Sequence, residues 1–185
     1  MAGARVIEEI REDGLSPFGV RRLSLLIALI IFLVDQATKC TMLYGFDLET
    51  SGAISVLPVL DFVLVWNRGI SYGLLQQHED IGRLGLILFS FIAIVGFLIW
   101  LRRVRRALPA LAIGLIIGGA LGNAIDRLAY GAVVDFILLH WGEWRWYVFN
   151  IADAAIVGAV ALLLADSWLG NPDRKETHPP EEKLP

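Results

Sequence analysis

The sequence has little charge and almost no cysteine. Only 19% of its 185 residues are Asp, Glu, Lys or Arg, and the single cysteine, Cys40, cannot form an internal disulfide. No pair of Cys or His residues has the spacing of a structural zinc site. The net charge of −3 comes without the basic, aromatic-interleaved surface that binds nucleic acid. We therefore expect no disulfide scaffold, no metal and no nucleic-acid partner.

Apolar residues, in contrast, form long uninterrupted blocks. They make up 56% of the chain, and its mean hydropathy is +0.63. Four blocks of roughly 18 to 22 mostly uncharged residues can each cross a hydrocarbon layer of about 30 Å as one helix. These blocks are residues 23–44, 84–101, 107–125 and 148–169. The sequence therefore predicts an integral membrane protein with four spans.

Arginines set the expected orientation. Arg21 and Arg22 precede the first block, and the segment 102–106 between the second and third blocks contains four more arginines. Because Lys and Arg favour the cytoplasmic side, both termini and this middle loop are expected in the cytoplasm. Loops 45–83 and 126–147 are then outside. All six tryptophans fall near span ends or in these outer loops, as the headgroup preference of the indole ring predicts.

The first block has a second interpretation, because a cleavable signal peptide also follows basic residues. The block is too long for the apolar core of such a peptide. Asp35 and Lys39 interrupt it, and it has no small-residue cleavage site at its end. We therefore interpret it as a retained helix.

The outer loops are predicted to contain β-structure. Residues 54–66 and 133–139 are rich in β-branched and aromatic residues, which favours a small extracytoplasmic sheet. Residues 1–22 are expected to be a cytoplasmic extension, residues 23–169 the membrane domain, and residues 170–185 a cytoplasmic tail. The chain has no internal repeat and none of the inverted symmetry common in secondary transporters.

Ionisable residues inside the spans are few, and such residues usually mark function because each costs at least about 2 kcal/mol to insert. Asp35 and Lys39 are four residues apart and can pair on one helix face. A purely structural ion pair is the alternative for these two. The third span ends with Asn123, Asp126 and Arg127, which also share one helix face.

More carboxylates follow in the chain. Asp135 lies among apolar residues in GAVVDF, and Asn150 and Asp153 share a face at the start of the fourth span. The predicted topology places Asp35, Asp126 and Asp153 at the same outer level of the membrane. Two carboxylates close together in a dehydrated site cannot both ionise easily, so one holds a proton while the other acts as a base.

Such a pair is the arrangement that an aspartic protease needs. The HExxH, GxSxG and P-loop lysine motifs of other catalytic classes are missing from the sequence. Spacing alone leaves open whether Asp126 or Asp135 is the partner of Asp153.

Five short motifs occur in order along the chain. They are DQATK at 35–39, NRGISYGLL at 67–75, GGALGNAIDR at 118–127, VVDF at 133–136 and FNIAD at 149–153. These motifs resemble those of lipoprotein signal peptidase, or signal peptidase II, the bacterial enzyme family that removes signal peptides from lipidated prolipoproteins. The resemblance covers about residues 21–169.

The resemblance implies a membrane all-α fold, a four-transmembrane-helix bundle with a small extracytoplasmic β-rich cradle, in the bacterial inner membrane. It implies a monomeric aspartyl endopeptidase that needs no metal or organic cofactor and cuts before a diacylglyceryl-modified cysteine near the periplasmic face. Its partners are then lipidated prolipoproteins and membrane lipids.

The resemblance also assigns residues to the site. It implies Asp135 and Asp153 as the catalytic pair, and so chooses Asp135 over Asp126. The positions implied as supporting or substrate-contacting are Asp35, Lys39, Asn67, Gly69, Asn123, Asp126, Arg127 and Asn150.

Two other functions stay open from the residues alone. A small transporter or channel could use Asp35, Lys39 and Asp126 in ion transfer, but the inner halves of the spans are almost free of polar residues. A non-catalytic assembly or lipid-binding protein could use the carboxylates structurally, but the order of the five motifs argues against it.

Overall fold

The computed structural model describes residues 16–69 and 80–169. In these residues, four long helices accompany a small antiparallel sheet. The helices are α1 (Pro17–Cys40), which continues as a π-helical turn (Thr41–Gly45), α2 (Leu48–Ser51), α3 (Asp80–Leu101), α4 (Ala107–Tyr130) and α5 (Ile151–Leu169). The strands are β1 (Ile54–Leu57), β2 (Leu60–Asn67), β3 (Val133–Trp141) and β4 (Trp144–Arg145).

Four helical segments of the described chain are long and apolar enough to cross a membrane, in agreement with the predicted spans. They are Pro17–Gly45, Ile81–Leu101, Ala107–Tyr130 and Ile151–Trp168. Helix α1 begins at Pro17, inside the segment 1–22 that is expected to be a cytoplasmic extension. The Ser16 hydroxyl accepts a hydrogen bond from the Gly19 N–H at 3.1 Å, and proline suits the first helical position.

Helix α4 extends beyond the apolar block 107–125 to Tyr130, so Asn123, Asp126 and Arg127 lie on one helix face, as predicted. Gly131, with φ +75°, ends it in the left-handed conformation that glycine adopts without strain. Helix α5 begins at Ile151 instead of residue 148 because Asn150 caps it. Its Oδ1 accepts from the Asp153 N–H at 2.9 Å.

Helix α4 lies at the centre and packs against α1, α3 and α5. Glycines let two of these neighbours approach its backbone closely. A Cβ atom on Gly118 would lie 2.5 Å from the Ala28 carbonyl oxygen of α1, and one on Gly119 would lie 2.6 Å from the Ala152 carbonyl oxygen of α5. This close contact between small residues is typical of membrane helices.

The sheet has the strand order β1-β2-β3-β4, with every neighbouring pair antiparallel. Its β2–β3 register pairs Val65 with Asp135 and Asn67 with Val133. Phe136, 2% exposed, anchors the sheet in a cluster with Met42 and Leu48 beside the end of α1. The predicted small sheet is therefore present, next to the C-terminal ends of α1 and α4 and the start of α5.

Candidate active site

The structure joins all ten residues predicted for the site in one continuous network of hydrogen bonds and ion pairs. The network lies at the sheet end of α1, α4 and α5. Seven of its members are buried, and Asn67, Arg127 and Asp153 are partly exposed. Residues far apart in the chain therefore converge in one place.

A buried ammonium group forms one end of the network. Lys39 Nζ lies 2.8 Å from Asp35 Oδ2, 2.6 Å from Asp126 Oδ2 and 3.1 Å from Asn123 Oδ1. These three acceptors match its three N–H donors. The Lys39 side chain is 3% exposed and both carboxylates are 1% exposed or less, so the charges have little access to solvent. Buried charges persist only with such complete pairing.

The same carboxylates connect separate elements of the fold. Asp35 Oδ1 accepts from the Ala152 N–H of α5 at 2.9 Å, and Asp126 Oδ2 accepts from the Val134 N–H of β3 at 3.2 Å. Gln36 donates to Asp126 Oδ1 at 2.9 Å and to Asp35 Oδ2 at 3.3 Å. The cluster therefore holds α1, α4, α5 and β3 together.

Asp135, on β3, is fully buried, and the side chains that donate to it are neutral amides. Its carboxylate accepts from Asn150 Nδ2 at 2.6 Å and from Asn67 Nδ2 at 3.0 Å. Burial raises the pKa of Asp135 to about 7, and the negative charge of Asp153 adds to this rise. The amide donors of Asn67 and Asn150 oppose it. Asp135 can therefore gain or lose a proton near neutral pH.

Asp153 lies in the first turn of α5, partly exposed. Its Oδ1 accepts from Asn123 Nδ2 at 2.8 Å, and its Oδ2 accepts from the Asn150 N–H at 3.3 Å. The Asp153 N–H in turn donates to Asn150 Oδ1, which forms a reciprocal capping arrangement. Asn150 thus contacts the carboxylates of both Asp135 and Asp153.

The geometry distinguishes the two candidate partners of Asp153. Asp126 is paired with the Lys39 ammonium at 2.6 Å, so its carboxylate is already engaged by a cation. Asp135 receives only neutral amide donors. A carboxyl group held in this way exchanges a proton more easily, so the contacts favour Asp135 over Asp126.

Arg127 borders the site on the side of the β2–α3 connection. It donates to the Gly69 carbonyl at 3.1 Å and to the Asn123 carbonyl at 3.2 Å. The Gly69 N–H donates to Asn67 Oδ1 at 3.0 Å. Among the described residues, the buried Arg127 Nε has no hydrogen-bond partner. A buried donor without a partner is suited to a ligand carbonyl. Positions 70–75 of the NRGISYGLL motif lie outside the described residues.

Two grooves open at Asp153. The first, of about 400 Å³, runs between α3, α4 and α5 and has Asn67, Gly69 and Arg127 at its polar end. The second, of about 550 Å³, lies on the other side of Asp153. It is lined by Trp146, Tyr147, Phe149, Ala154, Val157 and Gly158. Within residues 16–69 and 80–169, no group of three or more His, Cys, Asp or Glu side chains could hold a metal ion.

The sequence-based prediction missed two polar residues of this region. Gln36 bridges Asp35 and Asp126, and its place in the DQATK motif was an available signal. The Tyr147 hydroxyl lies 3.2 Å from Asn67 Nδ2. No sequence pattern marked Tyr147, because its contact depends on how the segment after β4 returns to α5.

Residues 27–169 match the family model described as signal peptidase (SPase) II. A protein named lipoprotein signal peptidase from Methylorubrum extorquens is 54% identical over 143 residues, which cover 77% of this chain and 84% of that protein. A protein of the same name from Rhodopseudomonas palustris is 51% identical over 158 residues, 83% of this chain and 96% of that protein.

Two solved structures are similar in fold, and both are described as bacterial membrane enzymes determined by the in meso method. The one at 2.3 Å resolution has a TM-score of 0.70 and 26% identity, and covers 84% of this chain and 93% of its own. The one at 1.9 Å resolution has a TM-score of 0.66 and 27% identity, and covers 78% and 91%. With the four apolar helices, this likeness identifies a multi-pass membrane protein.

Proposed function

The chain belongs to the signal peptidase II family, and we propose that it removes signal peptides from prolipoproteins by cutting just before a diacylglyceryl-modified cysteine. The observation that carries the proposal is the pair of carboxylates of Asp135 and Asp153, both hydrogen-bonded to Asn150. Two acidic groups held by one residue beside a groove are what aspartyl hydrolysis of a peptide bond requires.

In this reaction Asp135 acts first as the general acid and Asp153 first as the general base. Asp135, whose pKa burial raises to about 7, holds the proton. Asp153, which opens onto both grooves, takes a proton from a water molecule as the water oxygen attacks the scissile carbonyl carbon. Asp135 gives its proton to the carbonyl oxygen. When the carbon–nitrogen bond breaks, the proton on Asp153 goes to the leaving amine and Asp135 recovers its own from the carbonyl-derived hydroxyl.

The surrounding residues support this chemistry without taking protons themselves. Asn123 and Asn150 orient the two carboxylates. Lys39, which Asp35 and Asp126 hold, donates to Asn123. Arg127 and the Gly69 carbonyl offer one donor and one acceptor to the peptide backbone of the substrate.

The proposed topology places the site near the periplasmic face of the bacterial inner membrane. The arginines of the α3–α4 loop lie at the opposite end of the helices, where Arg106 pairs with Asp166 at 2.8 Å and Arg21 donates to the Arg102 carbonyl at 2.7 Å. The positive-inside rule assigns that end to the cytoplasm. Residues 23–169 then form a four-helix peptidase bundle with the sheet as a periplasmic cradle, and segments 1–22 and 170–185 are cytoplasmic.

The contacts give less support to ion transfer. Lys39, Asp35 and Asp126 are almost fully enclosed and saturate one another. In the described part of the inner halves of the spans, the buried polar side chain is Ser24, which carries no charge.

Cleavage by the purified protein in detergent tests the proposal. The substrate is a synthetic prolipoprotein segment with a diacylglyceryl-modified cysteine, and the control is the same peptide without lipid. We expect a cut on the N-terminal side of the modified cysteine, identified by mass spectrometry, and no cut in the control. Absence of cleavage by folded protein, or equal cleavage of both peptides, would contradict the proposal.

A further inference from the structure

Helix α5 separates two grooves that both reach Asp153. Ile156 and Val160 face the groove between α3, α4 and α5, whereas Ala154, Val157 and Gly158 face the groove bordered by the segment after β4. We call the second one the aromatic groove, lined by Trp146, Tyr147, Phe149, Ala154, Val157 and Gly158. Asp153 stands at the junction, so a molecule bound at Asp153 can extend into both.

The two grooves differ in chemistry. The first carries the Arg127 guanidinium, the Asn67 amide and the backbone of Gly69, which can bond a peptide backbone. The aromatic groove has no charged side chain besides Asp153. Its wall is stiffened by the Trp146 ring, which packs against the Trp144 ring with centroids 5.3 Å apart. An uncharged groove of this kind suits hydrocarbon.

The proposed substrate branches in two directions, as the two grooves do at Asp153. At the modified cysteine, the peptide chain runs one way towards the signal helix, while the thioether carries the diacylglyceryl group another way. We propose that the aromatic groove holds the first part of the acyl chains of this diacylglyceryl group, while the signal segment occupies the groove that contains Arg127. This inference rests on the proposed function and adds which groove recognises the lipid.

Gly158 lines the aromatic groove. It lies five residues after Asp153, about 7.5 Å further along α5 at the rise of about 1.5 Å per residue. A Cβ atom added at Gly158 would meet nothing within 4 Å, so the position has room for a side chain. We expect a leucine there to take up space in the groove, and leucine favours the helix more than glycine does.

Gly96 on α3 provides a matched control. A Cβ atom there also meets nothing within 4 Å, and Gly96 lines neither groove. The test therefore compares wild type, Gly158→Leu and Gly96→Leu on two synthetic precursors. The precursors share one peptide and carry either two palmitoyl or two butyryl chains, because a butyryl chain has far fewer methylenes to bury in the groove beyond Gly158.

We expect Gly158→Leu to lower kcat/KM for the palmitoyl precursor about tenfold, through KM, because one or two methylenes lose their buried site. The butyryl precursor should be affected much less, and Gly96→Leu should behave as wild type with both. A Gly158→Leu variant that cleaves the palmitoyl precursor as wild type does would overturn the assignment. So would an equal loss for both chain lengths, which indicates that the groove holds peptide. Failure of wild type to cleave either precursor would instead reject the proposed function.

Discussion

Asn123 connects Lys39 to Asp153. The Lys39 ammonium donates to Asn123 Oδ1 at 3.1 Å, and Asn123 Nδ2 donates to Asp153 Oδ1 at 2.8 Å. Because an ammonium group can only donate, the amide of Asn123 must turn its oxygen towards Lys39 and its NH₂ towards Asp153. The buried charge cluster thereby fixes the direction of a hydrogen bond to the proposed base.

Replacing Asn123 should therefore impair turnover more than substrate binding. We expect Asn123→Ala to lower kcat about 10²-fold, as loss of one oriented donor commonly does, with KM changed little. Thr38→Ala is the control, since the Thr38 hydroxyl bonds only the carbonyls of Val34 and Asp35 in its own helix. A rise in KM with unchanged kcat would show that Asn123 contacts the substrate instead of orienting Asp153.

Asp35 is expected to act on stability. Its carboxylate pairs with Lys39 and accepts from the Ala152 N–H, so it ties α1 to the first turn of α5. Asp35→Asn should lower the free energy of unfolding by about 1–3 kcal/mol because a buried charge loses one partner. Asp126 remains to pair Lys39, so turnover per folded molecule should fall less. Thermal unfolding and active-site-normalised kinetics measure the two effects, and the reverse ranking would place Asp35 in the reaction.

Activity should fall as the pH rises through the titration of the aspartate pair. The reaction needs one proton on the pair, and the pKa of Asp135 is raised from 3.8 to about 7. The high-pH limb of kcat/KM is therefore expected near pH 7, as a property of the coupled pair. A plateau that extends unchanged to pH 9 would show that no such proton is required.

The same pKa shift predicts the sign of a stability effect. Between pH 3.8 and about 7, the folded protein keeps a proton on Asp135 that the unfolded chain releases. This contribution to stability is complete at low pH and is lost as the pH rises through about 7. Asp135→Asn removes the titration, so its melting temperature relative to wild type should increase from pH 5 to pH 8.

Helix packing around α4 depends on Gly119. A Cβ atom there would lie 2.6 Å from the Ala152 carbonyl oxygen and 2.9 Å from Ile156 Cγ1. We expect Gly119→Ala to destabilise the protein by about 1–3 kcal/mol, since α4 and α5 must separate. Gly96→Ala, in open space, should be neutral or slightly stabilising. Equal melting temperatures of the two variants would show that the helices adjust without cost.

Local sequence patterns predicted the parts of this site that a single helix arranges. The four-residue spacing of Asp35 and Lys39 predicted their ion pair. The three-residue spacing of Asn150 and Asp153 predicted that they lie together at the start of the fourth span, where Asn150 caps α5. Patterns could not join Asp126 to Lys39, because that contact depends on how α1 packs against the glycines of α4.

The position of Asp135 required information beyond its own segment. It reaches Asn150 and Asn67 through the β2–β3 register and the return of the chain to α5. Here only the resemblance to a family chose Asp135 over Asp126.

The central claim is that Asp135 and Asp153 together carry out the cleavage. Its most direct test measures turnover of the lipidated precursor by Asp135→Asn and Asp153→Asn. Asp61→Asn is the carboxylate control, because the Asp61 side chain accepts from Ser55 and lies 3.3 Å from His140 Nε2 on the sheet. We predict a loss of at least about 10²–10⁴-fold in kcat for each of the first two variants, with folding and precursor binding retained, and near wild-type turnover for Asp61→Asn. Substantial turnover by folded Asp135→Asn or Asp153→Asn would contradict the account.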